Sequence, residues 1–164
     1  MAIRFGILTL SDRSSRGERE DSSGPALASL IQAQGWSVVK QQILPDDEST
    51  IRATLMEWAD GGEVDVILTT GGTGFAPRDV APEATRAVIQ RDAPGIAETM
   101  RAESLKKTPH AMLSRAIAGI RRRTLIINLP GSPKGAVENL ETVTPVLPHA
   151  VQLLTDDPDS EASH

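Results

Sequence analysis

Arg78 and Asp79 set a cation beside an anion just beyond Gly71-Gly72-Thr73-Gly74, and Pro77 and Pro82 stiffen the chain around them. Three glycines within four residues allow a backbone to approach a ligand closely. Ahead of them the apolar residues Val64, Val66, Ile67 and Leu68 run into Thr69 and Thr70, and a helical pattern begins at Pro82. Strand, glycine loop and helix in that order point free amides at one spot, where turn N–H groups and a helix N-terminus favour negative charge. Phosphate is the first candidate ligand. The common phosphate fingerprints do not fit, because a Walker A loop ends in Gly-Lys-Ser/Thr and a dinucleotide loop needs a final glycine where this chain has Pro77. Gly-Gly-Thr-Gly alone would serve as a tight turn. Such a turn has no need of the Arg78-Asp79 pair.

Pro45-Asp46-Asp47-Glu48-Ser49 is the other acidic stretch at a strand end. Capping and dipole compensation at a helix start account for one of Asp46 and Asp47 and leave the other over. If both Asp46 and Asp79 face a phosphate, three roles are open: general base, nucleophile, or ligand for a hard cation such as Mg²⁺. The metal role fits best where the attacking group is itself a phosphate, since that group is already anionic near neutral pH and needs no base. Amides, arginines and metal would then act by positioning and by neutralising charge in an in-line displacement.

The elements that must position these groups follow from periodicity. Four strands are predicted, Ile3–Leu10, Ser37–Leu44, Val64–Thr70 and Arg123–Leu129. A helix starts in Asp21-Ser22-Ser23-Gly24-Pro25 with a serine cap and buries Leu27, Leu30 and Ile31 before Gly35. Another carries Ile51, Leu55, Trp58 and Ala59 on one face and stops at Gly61-Gly62. From Pro82 to Gly119 the pattern is helical with breaks before prolines, giving Pro82–Gln90, Pro94–Leu105 and Pro109–Ala118. Ala136–Thr142 and Val146–Leu154 read as two short helices. Ser14–Ser23 is charged, serine-rich and expected to be mobile, and 155–164 is expected to be a disordered acidic tail.

Strands alternating with helices predict an α/β fold, a three-layer α/β/α sandwich around a largely parallel sheet. Ligands of such sheets bind beyond the carboxyl ends of the strands. The loops there carry Ser11-Asp12-Arg13, Pro45-Asp46, Gly71 to Asp79 and Asn128 to Lys134, so scattered residues gather into one candidate site. Ser11, Asp12 and Arg78 join Gly71, Gly72, Thr73 and Gly74 as ligand-binding candidates.

Composition narrows the class of protein. The 164 residues suit one domain, 1–154. Aromatics make up 2% and tyrosine is absent, so the core is expected to consist of Ala, Val, Ile and Leu. No apolar stretch has the length of a membrane span and Met1–Leu10 lacks signal-peptide character, which predicts a cytoplasmic protein. Without cysteine, and with His110, His149 and His164 scattered, a zinc site is not expected. A net charge of −5 argues against a nucleic-acid surface. An anionic ligand would then depend on local cations, with Arg13, Arg78, Arg101, Arg115 and Lys134 as candidates; Arg121-Arg122-Arg123 reads as a solvated lead-in to a strand.

Six segments together resemble the MogA/MoaB-type molybdopterin adenylyltransferase family of molybdenum cofactor biosynthesis. They are Ile7 to Arg13, Asp21-Ser22-Ser23-Gly24, Pro45-Asp46, Thr70 to Thr85, Met112-Leu113-Ser114-Arg115 and Asn128 to Pro133, within a match running from Phe5 to Leu154. The resemblance implies the molybdopterin-binding fold and transfer of AMP from ATP to the terminal phosphate of molybdopterin, with release of pyrophosphate. Asp46 and Asp79 would be the essential carboxylates, acting through Mg²⁺, and Gly71–Gly74, Ser104, Ser114, Pro130, Gly131 and Ser132 would contact pterin and phosphate. A homotrimer and hand-over of product to a molybdenum-insertion protein are also implied, without nucleic-acid or membrane partners. Two other classes remain: a pterin carrier or scaffold that turns nothing over, and a phosphoacceptor domain with one phosphorylated aspartate.

Overall fold

The computed structural model describes residues 2–155. Along them run β1 (Arg4–Leu10), α1 (Asp12–Ser15), α2 (Ser23–Ala33), β2 (Ser37–Leu44), α3 (Glu48–Asp60), β3 (Val66–Thr70), α4 (Ala81–Val88) and β4 (Arg91–Asp92). Then come α5 (Pro94–Leu105), a 3₁₀ turn (Pro109–Leu113), β5 (Ala118–Arg121), β6 (Thr124–Leu129), α6 (Pro133–Val143), a second 3₁₀ turn (Thr144–Val146) and α7 (Leu147–Leu154). The six strands form one sheet in the order β2-β1-β3-β6-β5-β4, parallel from β2 to β6 and antiparallel beyond it.

Apolar strands buried on both faces explain the layering. Side chains alternate across a strand, so Ile7 and Leu68 pack with α2, α5, α6 and α7, whereas Leu8 and Ile67 pack with α3 and α4. Truncating one of these fully buried residues, Ile67→Ala for example, costs about 2–5 kcal/mol through lost transfer energy and a cavity. Most of the core is aliphatic as composition requires, but Phe5, Trp58 and Met100 are also buried in it.

Several expected elements differ. The helix foreseen over Pro109–Ala118 is only a 3₁₀ turn to Leu113, followed by extended chain into β5, and Gln90 lies beyond α4, where its amide donates to Ile120 of that strand. Proline punctuation located the breaks, but strand pairing with β6 took the segment. Helix α6 begins at Pro133 rather than Ala136, because Ser132 accepts the Gly135 amide at 3.1 Å and proline suits a first turn. Ser22 stands at the N-cap of α2 as expected but its side chain makes no cap bond; instead Asp21 Oδ1 accepts the Gly24 amide at 3.1 Å. Within Ser14–Ser23 the chain first completes a helical turn, with Arg16 N donating to Asp12 O at 3.2 Å. Thr155, foreseen in the tail, still bonds back to Val151 of α7, and 156–164 lie outside the described residues. Among the described residues no helix is long and apolar enough to cross a membrane.

The strand order reverses around β1: α2 leaves it on one face of the sheet, whereas α4, which follows β3, covers the other. A crevice opens outside the carboxyl ends of β1 and β3 at such a switch point.

Candidate functional site

Ser11 closes β1 and caps the short turn α1, its hydroxyl accepting the Ser14 amide at 3.1 Å. The backbone there faces the end of β2. The Asp12 amide donates to Asp46 Oδ2 and the Asp46 amide donates to Asp12 Oδ1, each at 3.0 Å. Asp47 takes the capping role alone, accepting the Thr50 amide at 2.9 Å. Asp46 is thereby left to face the glycine loop.

That loop depends on glycine. Gly71 has φ +104° and a Cβ there would collide with the Leu10 carbonyl oxygen; Gly72 has φ +70°. The amides of Gly72, Thr73 and Gly74 donate to no acceptor among the described residues. Both carboxylates flank these amides. A Cβ built on Gly72 would lie 3.4 Å from Asp46 Oδ1, and one on Gly74 would lie 2.9 Å from Asp79 Oδ2. Asp79 Oδ2 also accepts the Ala76 amide at 3.0 Å.

Arg78 reaches across to Asp12 with both fork nitrogens, Nε to Oδ2 at 2.7 Å and Nη2 to Oδ1 at 2.9 Å. Hydrogen bonding from this guanidinium lowers the Asp12 carboxyl from its ordinary value. Asp46 moves the other way: burial raises it first, and the negative charges of Asp12 and Asp79 add to the rise. Negative charge is therefore crowded at Asp46 with no cation bonded to it.

Next to the loop a cleft of about 330 Å³ is lined by predicted residues Ser11, Gly71, Gly131 and Ser132. Thr9, Arg19, Asp21, Ser23 and Thr70 line it as well, though sequence reasoning did not place them in a site. Asp21-Ser22-Ser23 was legible as a helix start and within the family resemblance, but not as a cleft wall. Its hydroxyls shape the wall: Ser23 donates to Gly131 O and Thr70 to Pro130 O, both at 2.6 Å. Ser104 and Ser114 are elsewhere, in a pocket of about 20 Å³ between α5 and the 3₁₀ turn whose wall includes Pro130, the residue whose carbonyl accepts from Thr70 of the cleft.

The candidate cations divide. Arg101 donates to the Ser114 and Ala116 carbonyls at 3.0 and 3.1 Å, and Arg115 is occupied by the glycine loop itself, so both act on the protein. Arg13, Arg19 and Lys134 form no ion pair among the described residues, and of these Arg19 lines the cleft. The hairpin arginines Arg121 and Arg122 pair with Asp60, as a solvated strand end would.

No group of three or more His, Cys, Asp or Glu among the described residues forms a ready-made metal cage. Carboxylates crowded without a cation suit a hard ion that takes one or two protein oxygens and fills the rest of its shell with water and substrate phosphate. Asp46 and Asp79 fit that description.

Fold and site together define a doubly wound α/β protein with a crevice beside the glycine loop at its switch point. Residues 6–149 match the family described as "Probable molybdopterin binding domain", and the chain belongs to it. It is 44% identical to a molybdopterin adenylyltransferase of Helicobacter pylori strain J99, over 93% of this chain and 88% of that one. Identity is 46% to the molybdenum cofactor synthesis protein cinnamon of Drosophila melanogaster, over 95% of this chain but 26% of the relative, so the chain spans about a quarter of that protein. The crystal structure of the molybdopterin biosynthesis enzyme MoaB from Thermus thermophilus superposes with a TM-score of 0.89 at 52% identity, covering 95% of this chain and 98% of the other.

Proposed function

We propose that this protein is a molybdopterin adenylyltransferase, transferring AMP from ATP to the terminal phosphate of molybdopterin. The observation that carries the reading is the pair of carboxylates, Asp46 and Asp79, on either side of unpaired glycine-loop amides. A phosphate oxygen of molybdopterin attacks the α-phosphorus of ATP, the new P–O bond forms as the bond to the bridging β-oxygen breaks, and pyrophosphate leaves. No proton need be removed from the nucleophile, which is already an anion. Mg²⁺, held by Asp46 and Asp79, would neutralise charge on the transferring phosphate. The amides of Gly72–Gly74 bind phosphate oxygens, the cleft hydroxyls orient the ligand, and Arg19 adds positive charge at the wall.

Ser104 and Ser114 belong to the pterin side of this reading, in the small pocket walled by Pro130, next to Gly131 of the cleft. A homotrimer and delivery of the adenylylated product to a molybdenum-insertion protein are parts of the same proposal, supported by the family resemblance, and a cytoplasmic location is proposed with them.

Purified protein given molybdopterin, ATP and Mg²⁺ is expected to release one pyrophosphate per adenylylated molybdopterin. Tight pterin binding with no pyrophosphate would replace the enzyme by a carrier or scaffold.

A further inference from the structure

Arg115 follows the 3₁₀ turn, far along the chain from the glycine loop, yet its donors reach that loop and the first turn of α4 behind it. Its Nε donates to Gly74 O at 2.8 Å and its Nη2 to Asp79 O at 2.8 Å. The terminal nitrogens also grip the Glu83 carboxylate at 2.6 and 3.2 Å, and the Arg115 amide donates to Thr73 O at 2.8 Å. Gly74 and Asp79 are the two ends of the turn that carries Phe75 to Arg78, so one guanidinium closes the turn at its base.

Apart from the Arg78–Asp12 ion pair at its far side, little else holds that turn. Phe75 is 69% exposed and adds no buried packing. Inside the turn Asp79 N donates to Ala76 O at 2.9 Å and the Asp79 carboxylate accepts the Ala76 amide, which ties the side chain to the turn's shape. Anything that opens the base therefore turns the Asp79 carboxylate. A planar fork can serve two carbonyls and a carboxylate at once, whereas a lysine ammonium is a single point charge on a flexible stem.

We propose that Arg115 is a positioning residue: by clamping Gly74 and Asp79 it fixes the direction of the Asp79 carboxylate and so sets the affinity of the site for a divalent cation. This rests on Asp79 as a cation ligand, as proposed above. Glu83 is the anchor that keeps the guanidinium in place.

The full chain is compared as wild type, Arg115→Lys and Glu83→Gln. Three readouts are taken: Mg²⁺ dependence of pyrophosphate release, Mn²⁺ binding by electron paramagnetic resonance, and hydrogen exchange of the 72–80 amides. Arg115→Lys is expected to weaken Mn²⁺ binding and raise half-saturating Mg²⁺ by about 10–100-fold. Exchange should quicken at 72–80 and stay unaltered in the sheet. Wild-type Mn²⁺ affinity and wild-type exchange in Arg115→Lys would overturn the clamp. If that variant does not fold, Glu83→Gln decides: about a threefold or larger loss of Mn²⁺ affinity supports the clamp and an unchanged affinity overturns it. A wild type that releases no pyrophosphate removes the adenylyltransferase reading, while the Mn²⁺ and exchange results still judge the clamp.

Discussion

Asp12 and Asp46 exchange hydrogen bonds backbone to side chain in both directions, each amide donating to the other's carboxylate at 3.0 Å. This reciprocal pair locks the end of β1 to the end of β2 and holds two carboxylates against the glycine loop, Asp46 near Gly72 and Asp12 on Arg78. Among the described residues Arg78 bonds only to Asp12, and burial first, with the charges of Asp12 and Asp79, gives Asp46 a raised affinity for protons. The crowding at Asp46 is a cost to the fold that a bound cation would relieve.

Asp46→Asn removes that crowding while its side-chain oxygen can still accept the Asp12 amide. Thermal unfolding should give a Tm equal to or above the wild type, and adenylyl transfer should fall by at least about 100-fold, the opposition expected where a site holds strain for function. A lowered Tm would show that the charge crowding is absent.

Asp79→Asn should keep both the fold and pterin binding and lose nearly all turnover, because Asp79 serves the loop rather than the core. Circular dichroism, a pterin-binding titration and pyrophosphate release separate these effects. Wild-type rates would remove Asp79 from the site.

Arg19→Ala removes an unpaired cation from the cleft wall without disturbing any ion pair among the described residues. If Arg19 binds substrate and transition state alike, KM for ATP rises by about 10-fold with kcat little changed. Steady-state kinetics with varied ATP test this directly.

Gly71→Ala places a methyl against the Leu10 carbonyl on a backbone with φ +104°. Strain and overlap together should lower stability by roughly 2–4 kcal/mol, read by urea unfolding. A neutral result would mean that β1 and β3 can separate at their ends.

Glu83 is held below its ordinary value of 4.5, chiefly by its hydrogen bond from Arg115. Its folded form binds fewer protons than its unfolded form as pH falls, so its stabilising contribution is complete above 4.5 and is lost as pH drops through the lowered value. The carboxylate is 46% exposed, and solvent screening keeps the effect small. Glu83→Gln should show a shallower loss of Tm than wild type from about pH 5 to pH 3.

Much of this protein could be read along the chain. The four parallel strands, the glycine loop, the division of labour between Asp46 and Asp47, and the gathering of loops at one edge all follow from patterns within a few residues: apolar runs, turn glycines and helix caps. The antiparallel pairing of β4 with β5 could not be read in this way. Arg91–Asp92 has no strand pattern of its own, and its pairing with Gly119–Ile120 is a contact between distant segments.

Side-chain fate at the site was likewise set by folding. Arg78, Arg101 and Arg115 look alike in sequence as cations for an anion, yet one binds a carboxylate, one binds carbonyls and one clamps a loop. Ser104 and Ser114 have the same polar character as the serines of the cleft but sit in a separate pocket. Periodicity and turn chemistry are local and survive in the bare sequence. The partner of a long, flexible, charged side chain is chosen by which backbone the folded sheet brings within about 3 Å, and only the tertiary structure makes that choice.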